Sequence, residues 1–168
     1  MNLSTHPFMQ SARSDESLAT SDAVGHLLGE CRMVLPGLQA LFGFQMIAVF
    51  NSSFAEKLTA SQQKLHIASI VLVVISVALV MTPAALHRQI VPRRASERFV
   101  RAASWLLLAA MPPLAIGICT DVFLVTTIVW HNDLAAGVVS AALLLLVGGL
   151  WFVYPPMYKS TRMRHEAE

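Results

Sequence analysis

Charge is scarce in this chain, and so is cysteine. Only 13% of its 168 residues are Asp, Glu, Lys or Arg, and 55% are hydrophobic. With a mean hydropathy of +0.60, that composition lies outside the usual range of water-soluble domains. The two cysteines, Cys31 and Cys119, form no C-x-x-C pair, which excludes the quinone-linked thiol oxidases that share a four-helix membrane plan. Counted along the expected spans, the two lie more than about 20 Å apart in depth. A disulfide needs α-carbons within about 7 Å, so none is expected between them. No zinc-ligand spacing, phosphate-binding glycine loop or nucleophile paired with a base occurs, and no internal repeat is detectable. The chain is therefore not expected to be an enzyme, to hold a metal or cofactor, or to bind nucleic acid.

What is present is four apolar runs, 34–50, 66–86, 102–129 and 134–154. Each is close to the roughly 20 helical residues that cross a 30 Å hydrocarbon layer. The expected fold class is all-α, an integral membrane four-helix bundle over residues 34–154 with a short N-terminal interfacial helix. That helix is read at 22–33, where Val24, Leu27, Leu28 and Cys31 recur at helical spacing behind the capping candidates Thr20, Ser21 and Asp22. Residues 1–21 lack the features of a signal or transit peptide and are expected to be disordered and retained. Residues 155–168 form a tail after the stop signal Pro155-Pro156. Pro36 and Gly37 permit a bend into the first span. Thr59 with Gln62 forms a capping box for the second span, and Asn132 or Asp133 caps the fourth.

Ten of the twelve Lys and Arg residues fall in the N-terminal segment, the loop after the second span and the tail. Basic residues in short loops stay on the cytoplasmic side, so N-in, C-in in a bacterial inner membrane is the consistent topology. So strong a bias argues against dual topology. In the middle loop Arg88, Arg93, Arg94, Arg98 and Arg101 form a juxtamembrane cluster of the kind that attracts anionic lipid headgroups, although insertion by the positive-inside rule explains these arginines equally well.

Asp121 is the one carboxylate inside a span, and an ionised group at mid-membrane costs about 2.5–3.5 kcal/mol on insertion scales. It needs a partner, water or a proton. It sits about 9 Å from the centre of its span, a depth reached by Ser140 and approached by Gln45, so a small polar layer is expected there. Gln39 is the other polar candidate in the first span. The plainer reading makes Asp121 a hydrogen-bonded packing residue, and the functional one makes it a proton or cation site. Pro112 and Pro113 would free the carbonyls of Leu108 and Ala109, as a simple kink does or, less commonly, as a broken transporter helix does. His66 and His131 fall at the outer boundary, poorly placed for a bis-histidine haem. Gly137, Ser140 and Ala141 give the fourth span a small-residue surface for close helix packing or a dimer seam. At the inner surface, Glu30 and Arg32 precede the first span while His87 and Arg88 follow the second, so an interfacial salt bridge or a ligand site is open to them.

Two runs carry a resemblance: Gly29-Glu30-Cys31-Arg32-Met33-Val34-Leu35-Pro36-Gly37-Leu38-Gln39-Ala40-Leu41-Phe42-Gly43-Phe44 and Thr82-Pro83-Ala84-Ala85-Leu86-His87-Arg88. They resemble an uncharacterised family of small bacterial four-helix membrane proteins over roughly 27–155. The resemblance implies this topology and singles out Glu30, Arg32, Gln39, Pro83, His87 and Arg88 at the inner membrane surface. It implies no activity. The leading expectation is a non-enzymatic membrane protein acting through lipid or protein partners, homo-oligomers included, at its basic inner face. The rival is a small proton- or cation-coupled transporter using Asp121.

Overall fold

A computed structural model describes residues 7–90 and 97–154. Among them the structure is all-α: α1 (Pro7–Val49), the short α2 (Ser52–Lys57), α3 (Ala60–Ile90), α4 (Glu97–Trp130) and α5 (Asp133–Gly148), with a π-helical turn from Gly149 to Val153. Four of these helices are long and apolar enough to cross a membrane, over Ala19–Val49, Ala60–Gln89, Glu97–Trp130 and Asp133–Val153. Their apolar side chains mostly face outward. In the α5 span only 6% of the most hydrophobic window is buried, and Phe44, Phe50, Leu134 and Leu145 are each more than two-thirds exposed. An apolar surface of this extent has no partner in water and suits lipid, as expected of a multi-pass membrane protein.

Two boundaries differ from the sequence reading. Residues 22–33, read as a separate interfacial helix, run without a break through Pro36 into the first span, and α1 begins at Pro7, inside the segment read as disordered. Proline near a helix start loses little, since the first N–H groups have no intrahelical acceptor. At the interior Pro36 the missing N–H takes away one rung of the ladder while the helix continues. Likewise α4 continues through Pro112 and Pro113. Pro92, Arg93, Arg94 and the tail residues Pro155 to Glu168 lie outside the described residues.

The connections use local chemistry that the sequence announces. Asn51 caps α2 by accepting from the Ser53 N–H at 3.0 Å, and the helix ends at Leu58 in extended conformation. Thr59 and Gln62 form the expected reciprocal capping box, Thr59 N–H donating to Gln62 Oε1 at 2.9 Å and Gln62 N–H to Thr59 Oγ1 at 3.3 Å. His131 closes α4 in left-handed conformation, φ 53°, and Asn132 Oδ1 accepts from Leu134 and Ala135 at 3.0 and 3.1 Å to start α5. Ser76, Thr82, Ser104 and Thr120 donate to the carbonyl four residues back in their own helices, which satisfies each hydroxyl locally inside an apolar span.

The chain divides into two compact units, Met1–Ala40 with Val77–Ala110, and Leu41–Ser76 with Met111–Glu168. In the first, Val24, Leu27, Phe99 and Ala103 make a buried cluster, with Leu28, Leu86, Val100 and Leu107 packed around it. The fully buried Ala103 leaves room for the larger side chains beside it. In the second unit α4 comes close to α3 at Gly117. A Cβ there would lie 3.3 Å from the Ser69 carbonyl oxygen and 3.3 Å from Val73 Cγ2. A larger residue would press α4 off α3 by a few tenths of an ångström, so this contact helps set the geometry of the polar site.

Candidate functional site

Asp121 follows Gly117 by one helical turn, so it occupies the face of α4 that the glycine brings against α3. Ser69 on α3 lies opposite. Ser69 Oγ donates to Asp121 Oδ1 at 2.6 Å and also reaches the His66 carbonyl at 2.9 Å. From α1, Gln45 Nε2 donates to Asp121 Oδ2 at 2.5 Å and to Ser69 Oγ at 3.2 Å. His66, one turn before Ser69, places Nδ1 3.3 Å from Asp121 Oδ1 and Nε2 3.1 Å from the backbone carbonyl of Gln45. The ring of Phe54 from α2 lies over the imidazole, centroids 5.3 Å apart. Three long helices thus converge on one carboxylate.

The site is largely enclosed by protein. Ser69 is fully buried, Gln45 and His66 are at most 7% exposed, and the Asp121 side chain keeps 20% of its surface. A count of donors and acceptors fixes much of its chemistry. A carbonyl oxygen can only accept, so Nε2 carries a proton where it faces Gln45. Nδ1 then faces a carboxyl oxygen at 3.3 Å, within ion-pair distance. A proton shared between the two would make either an imidazolium beside a carboxylate or a neutral imidazole beside a carboxylic acid. Both arrangements leave the pair without net charge, which removes most of the cost of a lone ion inside a span. Gln45 Oε1 is buried and makes no hydrogen bond, so a further acceptor lies at the edge of the network.

The polar layer expected from depth counting is present in part. Asp121 and Gln45 meet. Ser140 does not join them; its hydroxyl donates to the Cys119 carbonyl at 2.6 Å and ties α5 to α4. Gln39 is exposed and belongs to the other unit. The missed members are His66 and Ser69. Their signal was a stripe on α3, His66, Ser69 and Ser76 spaced by three and seven residues, the spacing of one helical face. The apolar run begins at His66, which puts that side chain at the membrane boundary, whereas α3 starts at Ala60 and carries His66 well inside the helix.

The expected inner-surface cluster does not pair. Among the described residues no ion pair joins Glu30, Arg32, His87 or Arg88. Glu30, Arg32 and Arg88 are exposed, while His87 packs its ring on Phe99 with centroids 5.7 Å apart. Arg98 and Arg101 are exposed along the first turns of α4. Cys31 and Cys119 are both free thiols, and no cluster of His, Cys, Asp and Glu among the described residues has metal-binding geometry.

No curated protein and no solved structure matches this chain. Residues 20–155 match the model of a family of unknown function, DUF6328, and the chain belongs to that family.

Proposed function

We propose that this member of DUF6328 is a small, non-enzymatic, proton-coupled membrane carrier whose proton-binding group is the His66–Asp121 pair. The observation that carries the reading is His66 Nδ1 at 3.3 Å from Asp121 Oδ1, a second titratable side chain beside the intramembrane carboxylate. Asp121 alone could be a packing residue. Two neighbouring ionisable groups, held by Ser69 and Gln45, can share one proton and so make a site that loads and unloads. The placement of Lys and Arg supports both termini on the cytoplasmic side of a bacterial inner membrane, which puts this site in the outer half of the bilayer.

The test is proton flux. Purified chain in liposomes with a trapped pH-sensitive dye, under a potassium diffusion potential, should acidify the lumen. Asp121→Asn and His66→Gln should abolish the signal while helicity and elution volume stay unchanged. Normal flux in Asp121→Asn, or none in the wild type, would end the reading.

The exposed Arg98 and Arg101 favour a second role, retention of anionic lipid headgroups or of a membrane-protein partner, a second copy included, at the same protein's basic face. Replacing Arg93, Arg94, Arg98 and Arg101 with Gln should lower recovery of anionic lipid with the purified protein. Unchanged recovery of lipid and partner would remove this role.

A further inference from the structure

The second unit contains a cavity of about 590 Å³, within the size range of small-molecule sites. It is lined by Glu56 and Lys57 of α2, Gln62 of α3, Thr127 of α4, and His131 and Asp133 around the turn into α5. Carboxylates and basic groups face the same space, yet among the described residues none of the four charged or imidazole side chains makes an ion pair. Helix-end electrostatics accounts for two of them, Asp133 in the first turn of α5 and Lys57 in the last turn of α2. It does not account for Glu56, a negative charge at the C-terminal end of α2. Nor does it account for Thr127, whose hydroxyl is buried, lines the cavity and has no hydrogen-bond partner, unlike the helical hydroxyls that bond back to their own backbone. His131 lines the cavity from a left-handed backbone, φ 53°, a conformation strained for any residue with a Cβ.

We propose that this cavity binds a small zwitterionic solute of amino-acid size, its ammonium group held by Glu56 and Asp133, its carboxylate by Lys57 and His131, and a polar atom by the Thr127 hydroxyl. Opposite charges that share a cavity without pairing are complementary to a ligand carrying both signs. The site lies on the helices that hold the proton pair. Gln62 precedes His66 by one turn, and Thr127 follows Asp121 by about 9 Å of helix, with the buried Leu124 between them in the chain. If the proton-carrier reading holds, on which this last step rests, the zwitterion is the solute whose movement the proton drives.

The experiment is equilibrium dialysis of the full chain in detergent micelles against three radiolabelled probes that differ by one charged group: alanine, propionate and ethylamine. Alanine should bind at least about tenfold more tightly than either single-charge probe. Lys57→Gln and the double variant Glu56→Gln/Asp133→Asn should each weaken alanine binding by about threefold or more. Thr127→Val, which removes a hydroxyl that bonds nothing in the free protein, should weaken it with the fold unchanged by circular dichroism. Equal retention of the three probes, no retention of alanine, or alanine binding indifferent to these substitutions would overturn the proposal. Proton flux without alanine binding sinks this inference alone, and alanine binding without proton flux sinks the carrier reading alone.

Discussion

Replacing Gly117 by alanine should destabilise the second unit, while the same replacement at Gly43 should not. Both glycines are helical, so each substitution gains about 0.5–1 kcal/mol of helix propensity. The surroundings differ. Nothing lies within 4 Å of a Cβ at Gly43, whereas one at Gly117 meets the Ser69 carbonyl oxygen and Val73 Cγ2 at 3.3 Å each. The carbonyl belongs to the α3 ladder and cannot turn aside, so α4 must shift by a few tenths of an ångström. Overpacking of this kind costs about 1–3 kcal/mol, which leaves Gly117→Ala between neutral and about 2.5 kcal/mol less stable. The difference between the two variants isolates the packing term at about 1–3 kcal/mol, and equilibrium unfolding in mixed micelles can measure it. The same shift would stretch the Ser69–Asp121 hydrogen bond, so proton flux should fall in Gly117→Ala and hold in Gly43→Ala. Equal stability and flux in the two variants would refute the argument that Gly117 positions the site.

Other perturbations have equally definite outcomes. Asn132→Ala removes the acceptor for two N–H groups at the start of α5 and should cost about 0.5–2 kcal/mol of unfolding free energy in the same micelle assay. Ser140→Ala breaks the bond from α5 to the Cys119 carbonyl and should cost about 0.6 kcal/mol, the mean for interhelical hydrogen bonds in membranes, with no effect on flux. Phe54→Ala uncovers one face of His66 and forfeits an aromatic pair worth about 0.5–1.5 kcal/mol. Histidine modification by an aqueous reagent should then reach His66 faster than in the wild type.

Much of the fold is legible in the sequence because it is governed by local rules. A bilayer sets the length of an apolar run, and the helix starts at Ala60 and Asp133 are marked by Thr59 with Gln62 and by Asn132, side chains that answer orphan N–H groups within one turn. The start of α1 is not marked in this way. The Ser/Thr-rich composition before Asp22 suggests disorder, yet no residue from Pro7 onward stops the helix, and Pro36 alone does not break it. The site is legible in half. Asp121 stands out because a carboxylate in an apolar span requires a partner, and depth alone nominates Gln45. Depth cannot choose between Gln45 and Ser140, since that depends on which way each helix is turned, and the hydroxyl of Ser140 reaches a carbonyl of α4 instead. His66 and Ser69 share one polar stripe of α3, but that the stripe meets Asp121 follows only from the contact at Gly117.

Whether His66 and Asp121 share a proton is tested most directly by solid-state NMR of the full chain in lipid bilayers, with ¹⁵N-labelled histidine and ¹³C-labelled aspartate carboxyls, which reports whether a proton joins His66 Nδ1 to the carboxyl. A shared proton predicts a protonated His66 Nδ1 correlated with the Asp121 carboxyl, and loss of that correlation in Asp121→Asn. A bare Nδ1 beside an ionised carboxylate would contradict it and leave the pair as a clamp between α3 and α4.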